Sequence, residues 1–322
     1  SEMCIRDSDW HAEFRKHFNA IRVFNSCRAN YAQRIELLES LKAIDQQLEP
    51  VLKIVITSFQ RDWQARHQRT AEAILELLRE VLGYHTSAPC GTNADEARIK
   101  QQLTQNYMDY VSRKEQQTRQ AIRALYKHNI FDLELPPHSI LEEDLFSDRT
   151  WEFLGLTDKQ LVLAGALSGA TIGAGIDLAA GGVSFGVFSA LGGFLGAAGT
   201  LFKGKDLIDS VELLGFKAGG ESIQVGPARN IQLLFILLDR CLLFTAHVIN
   251  WAHGRRDYDQ KALLKIPDGK KKGLTSDWNS GDRKVCSQFF QALQKQDNDT
   301  LEKTGTQLYE ILVRQLRQIA TG

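Results

Sequence analysis

The sequence predicts a mainly α-helical protein. It has a long helical hairpin, a glycine-rich apolar helical hairpin, a small β-hairpin and a residual strand from a truncated α/β domain. Three observations predict this. Apolar residues recur at helical spacing over most of the chain. Residues 161–202 form one long apolar run whose single ionisable residue is Asp177. Only short stretches, Ala20–Asn25 and Glu212–Lys217 with Glu221–Val225, read as strands.

The first eight residues, Ser1–Ser8, are set aside. Read back into codons they fit TCG GAG ATG TGT ATA AGA GAC AG, a string that resembles the transposase end of a sequencing-library adaptor. Residues 1–8 are then a translated scar, outside fold reasoning, and the natural start is expected upstream of Asp9. The alternative is a natural protein that begins this way.

Residues 9–49 read as helix, strand and helix. Ile21 and Val23 with the neighbouring Phe24 mark the strand, and Ile35, Leu38, Leu41 and Ile44 fall on one face of a helix from Arg28 to Leu48. This is how an α/β domain ends. A lone strand is not stable by itself, so it pairs with strands upstream or is irregular.

Residues 50–135 read as the long hairpin. Pro50 opens a helix where its missing N–H costs nothing, and Gly83 stops it. Its stripe is Ile54, Phe59, Trp63, Ile74, Leu77 and Leu78. Ser87–Asn93 is a loop by composition. A second long helix spans Ala94–His128, with Leu103, Tyr107, Val111 and Ile122 on its apolar side. Such a pair forms an antiparallel hairpin or stalk, or two arms of an ordinary bundle.

Residues 136–206 hold a short helix and the glycine-rich hairpin. After Pro136–Pro137, Ser147 or Asp148 caps a helix that ends at Gly155. The apolar run is too long for one bilayer crossing of about 20 residues and fits two, with Gly181–Gly182 as the turn. Small residues recur every fourth position at Gly165, Gly169 and Gly173, and again at Gly182 and Gly186, then Gly192 and Gly196. Such faces let helix backbones approach closely in lipid. Lys159 at one end and Lys203 and Lys205 at the other place both ends on the cytoplasmic side. Asp177 falls near the tip, where it can cap the backbone of Gly181 or Gly182. The other reading is a hairpin buried in protein, favoured by the scarcity of Leu and Ile and by Asp177.

Residues 207–322 hold the β-hairpin around Ala218–Gly220, a strongly apolar helix from Pro227 to about Trp251, and a basic stretch. Two amphipathic helices follow, Asp282 to about Gln296 and Thr300–Ala320. The basic stretch carries Arg255, Arg256, Lys261, Lys265, Lys270, Lys271 and Lys272. It can touch anionic headgroups or stay solvated.

The charge pattern excludes much. Lys+Arg 39 against Asp+Glu 39 leaves no global field for nucleic acid, and no aromatics interleave the basic run. The 322 residues suggest two domains, and 43% hydrophobic residues can bury a sizeable core. Of five Cys, Cys4 lies in the scar, and Cys27, Cys90, Cys241 and Cys286 are far apart, which fits free thiols in a reducing compartment. Gly199–Asp206 nearly matches a phosphate-binding loop, but Asp206 stands where Ser or Thr must hold Mg²⁺ and would repel phosphate. His247 with His253, and His85 with Cys90, lack a third ligand at metal spacing.

Phe146–Gly155, then Gly173–Gly186, resemble the domain of unknown function that follows an Era-like small GTPase domain in many bacterial proteins. The helix ending Trp251–Arg255 fits that layout too. The resemblance runs from about Pro50 onward and implies that Asp9–Leu48 is the end of the GTPase domain. It implies a P-loop, a D-x-x-G switch and an N-K-x-D motif upstream, with GTP and Mg²⁺ bound there and no cofactor in this fragment. No nucleotide-binding residue carries over.

The expected function is a non-catalytic, membrane-associating regulatory or effector module of a GTPase, at the cytoplasmic face of the bacterial inner membrane or in the cytoplasm. Its partners would be a membrane and the upstream GTPase domain in cis, with no nucleic acid. The alternatives are a soluble helical interaction module with a buried glycine-rich hairpin, and a non-enzymatic membrane hairpin protein.

Overall fold

The computed structural model describes residues 29, 31–89, 96–126, 135, 139–157, 159–161, 214–219, 222–250 and 273–321. The protein is mainly helical with one small antiparallel sheet. The strand expected at Ala20–Asn25 and the expected glycine-rich hairpin lie outside the described residues.

Helices α1 (Tyr31–Ile44) and α2 (Glu49–Gly83) form a hairpin. Asp45 builds its turn: Oδ1 accepts from the backbone N–H of Gln47 at 2.9 Å and of Leu48 at 3.3 Å. Pro50 sits in the first turn of α2. The chain folds back so that the Tyr31 ring lies 5.6 Å from Phe59 and 4.8 Å from Trp63. The expected stripe holds at Trp63, Ile74, Leu77 and Leu78, which are buried, and fails at Ile54, which is exposed. Leu41 and Ile44 of α1 are exposed as well. Their spacing is helical, but no other element among the described residues covers that end of the hairpin.

Helix α3 (Glu96–Leu125) runs antiparallel to α2. Tyr107 donates its phenol hydrogen to the Val81 carbonyl at 3.4 Å, Lys114 meets Glu80 at 2.9 Å, and Tyr126 packs on Trp63 at 5.7 Å. The pair is clad by other helices, so it forms two arms of a bundle.

Strand β1 (Thr86–Pro89) lies where composition predicts only loop. It pairs antiparallel with β3 (Ser222–Ala228), Thr86 opposite Val225 and Pro89 opposite Ser222. β3 also pairs with β2 (Leu214–Gly219), so the order is β1-β3-β2 and the expected hairpin gains a third strand. Four residues ending in Pro carry no periodic signal, and an edge strand tolerates that Pro. Pro227 is a second correction: it lies within β3 and does not open the next helix. The register shifts between Leu214 opposite Ala228 and Phe216 opposite Val225. Gly226 and Pro227 therefore form a bulge, where a residue without an N–H costs no ladder bond. Gly226 has φ +89°, and a Cβ there would lie 2.4 Å from the Tyr84 carbonyl oxygen.

Helix α4 (Asp148–Phe153) is capped by Ser147, whose Oγ accepts from the Thr150 N–H at 3.2 Å. Helix α5 (Gln232–Asn250) threads the middle of the molecule. It is long and apolar enough to cross a membrane by length and composition, yet 83% of that span is buried inside the protein. A 3-10 turn (Leu274–Asp277) leads to α6 (Ser280–Lys295) and α7 (Asn298–Thr321). Asn279 caps α6 at 2.9 Å, and Gln296 ends it in the left-handed region at φ 54°. α6 and α7 close against α2. Tyr107, Phe235 and Phe289 are among the largest fully buried side chains, each stabilising by about 1.5–3 kcal/mol on burial.

Candidate functional site

Two adjacent residues in the middle of α5, Asp239 and Arg240, interrupt an otherwise apolar sequence and organise two polar sites. Both side chains are buried. A buried charge is stable only when paired or richly hydrogen-bonded, and each has found partners far along the chain.

Asp239 holds two backbone turns. One carboxylate oxygen accepts from the Gly155 N–H at 2.7 Å, the other from the Thr275 N–H at 2.8 Å. Two turns earlier on α5, Gln232 reads the neighbouring peptide: its Oε1 accepts from the Leu156 N–H at 3.1 Å and its Nε2 donates to the Leu156 carbonyl at 2.9 Å. A glycine stands close to the anchor in each of the two turns. Gly155 has φ +81°, and a Cβ would meet the Gln232 amide at 2.8 Å. At Gly273 a Cβ would overlap Asp239 Oδ2 at 1.6 Å. The two turns are also joined directly, since Gln160 Nε2 donates to the Ser276 carbonyl at 2.8 Å. Gln160 lies just before the apolar run and Ser276 just after the basic one.

Arg240 serves the other site. Its Nε donates to Glu115 Oε1 at 2.7 Å, and one terminal nitrogen donates to the carbonyls of Ile140 at 3.2 Å and Glu143 at 3.1 Å. Arg119 shares Glu115 Oε1 at 2.5 Å and donates to the Leu141 carbonyl at 2.9 Å. The pair ties α3, α5 and the 139–147 loop together beside a cleft of about 250 Å³ lined by Ser112, Gln116, Glu142 and Asp144 among others. Burial pulls the Arg119 guanidinium below its usual range, opposed by the Glu115 charge. Burial also pushes the Cys241 thiol up to about 12, so it is no nucleophile at neutral pH. Among the described residues, no group of three or more His, Cys, Asp or Glu could hold a metal ion.

Both sites fasten backbone; neither presents a nucleophile beside a base. Gly165, Gly169, Gly173, Asp177, Gly181, Gly182, Gly186, Gly192 and Gly196 lie outside the described residues, as do Arg255, Arg256, Lys270, Lys271 and Lys272. His253 and Cys90 also fall outside them, while His247 is buried in α5 and His85 is exposed.

The family described as Domain of unknown function (DUF3482) matches residues 11–318. The chain belongs to the DUF3482 family. The match takes in residues 11–49 together with the stretch from Pro50 onward. No curated protein and no solved structure matches the chain. In this DUF3482 chain the residues that sequence reasoning missed are Asp239, Arg240, Gln232 and Glu115. The available signal was the Asp239–Arg240 pair inside Leu233–Leu243, where two neighbouring charges interrupt a run of core residues.

Proposed function

We propose that this chain is a non-catalytic regulatory or effector module of a GTPase-type protein, attached to the cytoplasmic face of the bacterial inner membrane through residues 161–202. Its partners are then a membrane and a GTPase domain upstream in cis, where GTP and Mg²⁺ would bind. Nucleic acid is not among them.

The observation that carries this reading is the Gln160–Ser276 hydrogen bond beside the Asp239 anchor. It fastens the start of the apolar run next to the end of the basic run. An apolar hairpin and a group of Lys and Arg rooted at one point can meet the same anionic surface, the first through burial and the second through attraction to headgroups. The soluble reading has its own support: α5 is as apolar as a membrane span and is enclosed by protein.

Membrane fractionation tests the proposal. The expressed chain should remain with membranes through high salt and alkaline carbonate, and lose this when residues 161–202 are deleted. Release by salt alone points to a peripheral contact through the basic run. A fully soluble product supports the buried hairpin instead. The GTPase context is tested separately by the genomic reading frame upstream of Asp9: an intact frame without Gly-x-x-x-x-Gly-Lys-Ser/Thr removes it.

A further inference from the structure

We infer that the free end of the α1–α2 hairpin is a self-association surface, docking against the same surface of a second copy of this chain. The inference is independent of the membrane reading. All six large hydrophobic side chains that stand exposed among the described residues crowd into this one place: Leu41, Ile44, Leu48, Val51, Ile54 and Val55. Ile54 is 67% exposed, Ile44 61% and Val51 58%. They lie on the last turns of α1, the connecting turn and the first two turns of α2. Isolated exposed apolar residues are ordinary; a contiguous set is not.

The end is rigid. Asp45 closes the turn with its two backbone hydrogen bonds, and the Leu52 N–H reaches the Leu48 carbonyl at 2.9 Å. Below the exposed end, Trp63 is buried in the main core and ties the hairpin to the body.

Area and charge favour a second copy. At these exposures the six side chains present on the order of 500–600 Å², the upper end of what a monomer leaves uncovered. That is most of the roughly 800 Å² per partner that a stable interface buries, and the polar rim supplies the rest. The rim carries both signs, Asp45 and Glu49 against Lys53, beside Glu39 and Lys42, which already pair with each other within α1. A surface with mixed charge can satisfy itself across a two-fold axis, where each residue type faces its complement. Anionic lipid is a poor occupant, because three carboxylates flank the apolar set against two ammonium groups.

The test is sedimentation of the full 322-residue chain, in nonionic detergent, over roughly 1–100 µM, since dimer population follows concentration. The unaltered chain should pass from monomer to dimer across that range. Ile54→Arg and Leu48→Arg should each weaken dimerisation by roughly tenfold or more, as charge placed in an interface core does, while circular dichroism stays unchanged. Ile54→Leu should leave the dimer intact, which separates lost docking from lost folding. A monomer throughout the range overturns the proposal. So does a dimer indifferent to both Arg substitutions, or a monomer whose binding to lipid vesicles is lost in them.

Discussion

The Asp239 carboxylate accepts a 2.7 Å hydrogen bond from the backbone N–H of Gly155, 84 residues earlier in the chain. With the matching bond from Thr275, it makes one buried side chain the anchor of two turns. Charge-assisted bonds of this kind contribute about 1.5–3 kcal/mol each. Asp239→Ala should therefore lower unfolding free energy by about 3 kcal/mol in urea titration, and Asp239→Asn by less, since one acceptor survives. A loss below about 0.5 kcal/mol for Asp239→Ala would mean that surface-type energetics apply there.

The glycines at the anchor should be intolerant of any side chain. Gly155→Ala faces both a positive φ and the Gln232 amide, and Gly273→Ala displaces Asp239 itself. Each should cost about 2 kcal/mol or more, measured by thermal or urea unfolding. Gly83→Ala is the contrast: a Cβ there meets nothing within 4 Å and the backbone has no positive φ. That substitution should be neutral or stabilising by up to about 1 kcal/mol.

Glu115 bridges two guanidinium groups in the interior. Glu115→Ala leaves Arg240, whose side chain is 4% exposed, without its counter-charge. Removing one partner of a buried pair costs about 3–5 kcal/mol, and Glu115→Gln should cost less because an acceptor oxygen remains. Replacing Arg240 by Met in the Glu115→Gln background should recover part of the loss, read as non-additivity in a double-mutant cycle.

Acid should weaken the fold through His67. Burial first, then the charges of Arg317 and Arg66, lower its pKa from 6.5 to about 4. The ring packs edge-on to Trp63 at 5.8 Å, and its Nε2 has no hydrogen-bond partner among the described residues. Because the folded state resists protonation, the unfolded chain binds the extra proton as pH falls from 6.5 toward 4. Stability present above pH 6.5 is lost across that window, by up to about 3 kcal/mol. His67→Phe should flatten this segment of the pH–stability curve, measured by urea unfolding at pH 5 and pH 7. An unchanged slope would assign the acid sensitivity to carboxylates.

Much of the fold is legible in the sequence because it is local. Gly83, Ser147 and Pro50 mark helix ends by chemistry within a few residues, and the Leu103–Ile122 stripe identifies the buried face of α3. What escapes depends on distant partners. β1 exists because β3 arrives from far along the chain to pair with it, and Pro227 belongs to a strand because β2 opposes it across a bulge. Asp239 reads as a flaw in an apolar helix until Gly155 and Thr275 are seen beside it, 84 and 36 residues away. The exposed Ile54 shows the converse: helical periodicity places it on the stripe, but nothing in sequence says where packing stops.

Vesicle flotation of the purified chain tests the proposed function most directly, with the chain reconstituted from detergent alongside anionic or neutral lipid. The account predicts that the chain floats with both kinds of vesicle in high salt, more completely with the anionic one. It also predicts that deleting residues 161–202 sends a folded, helical protein to the bottom of the gradient. A full-length chain that is folded by circular dichroism yet stays at the bottom with either lipid would contradict the account.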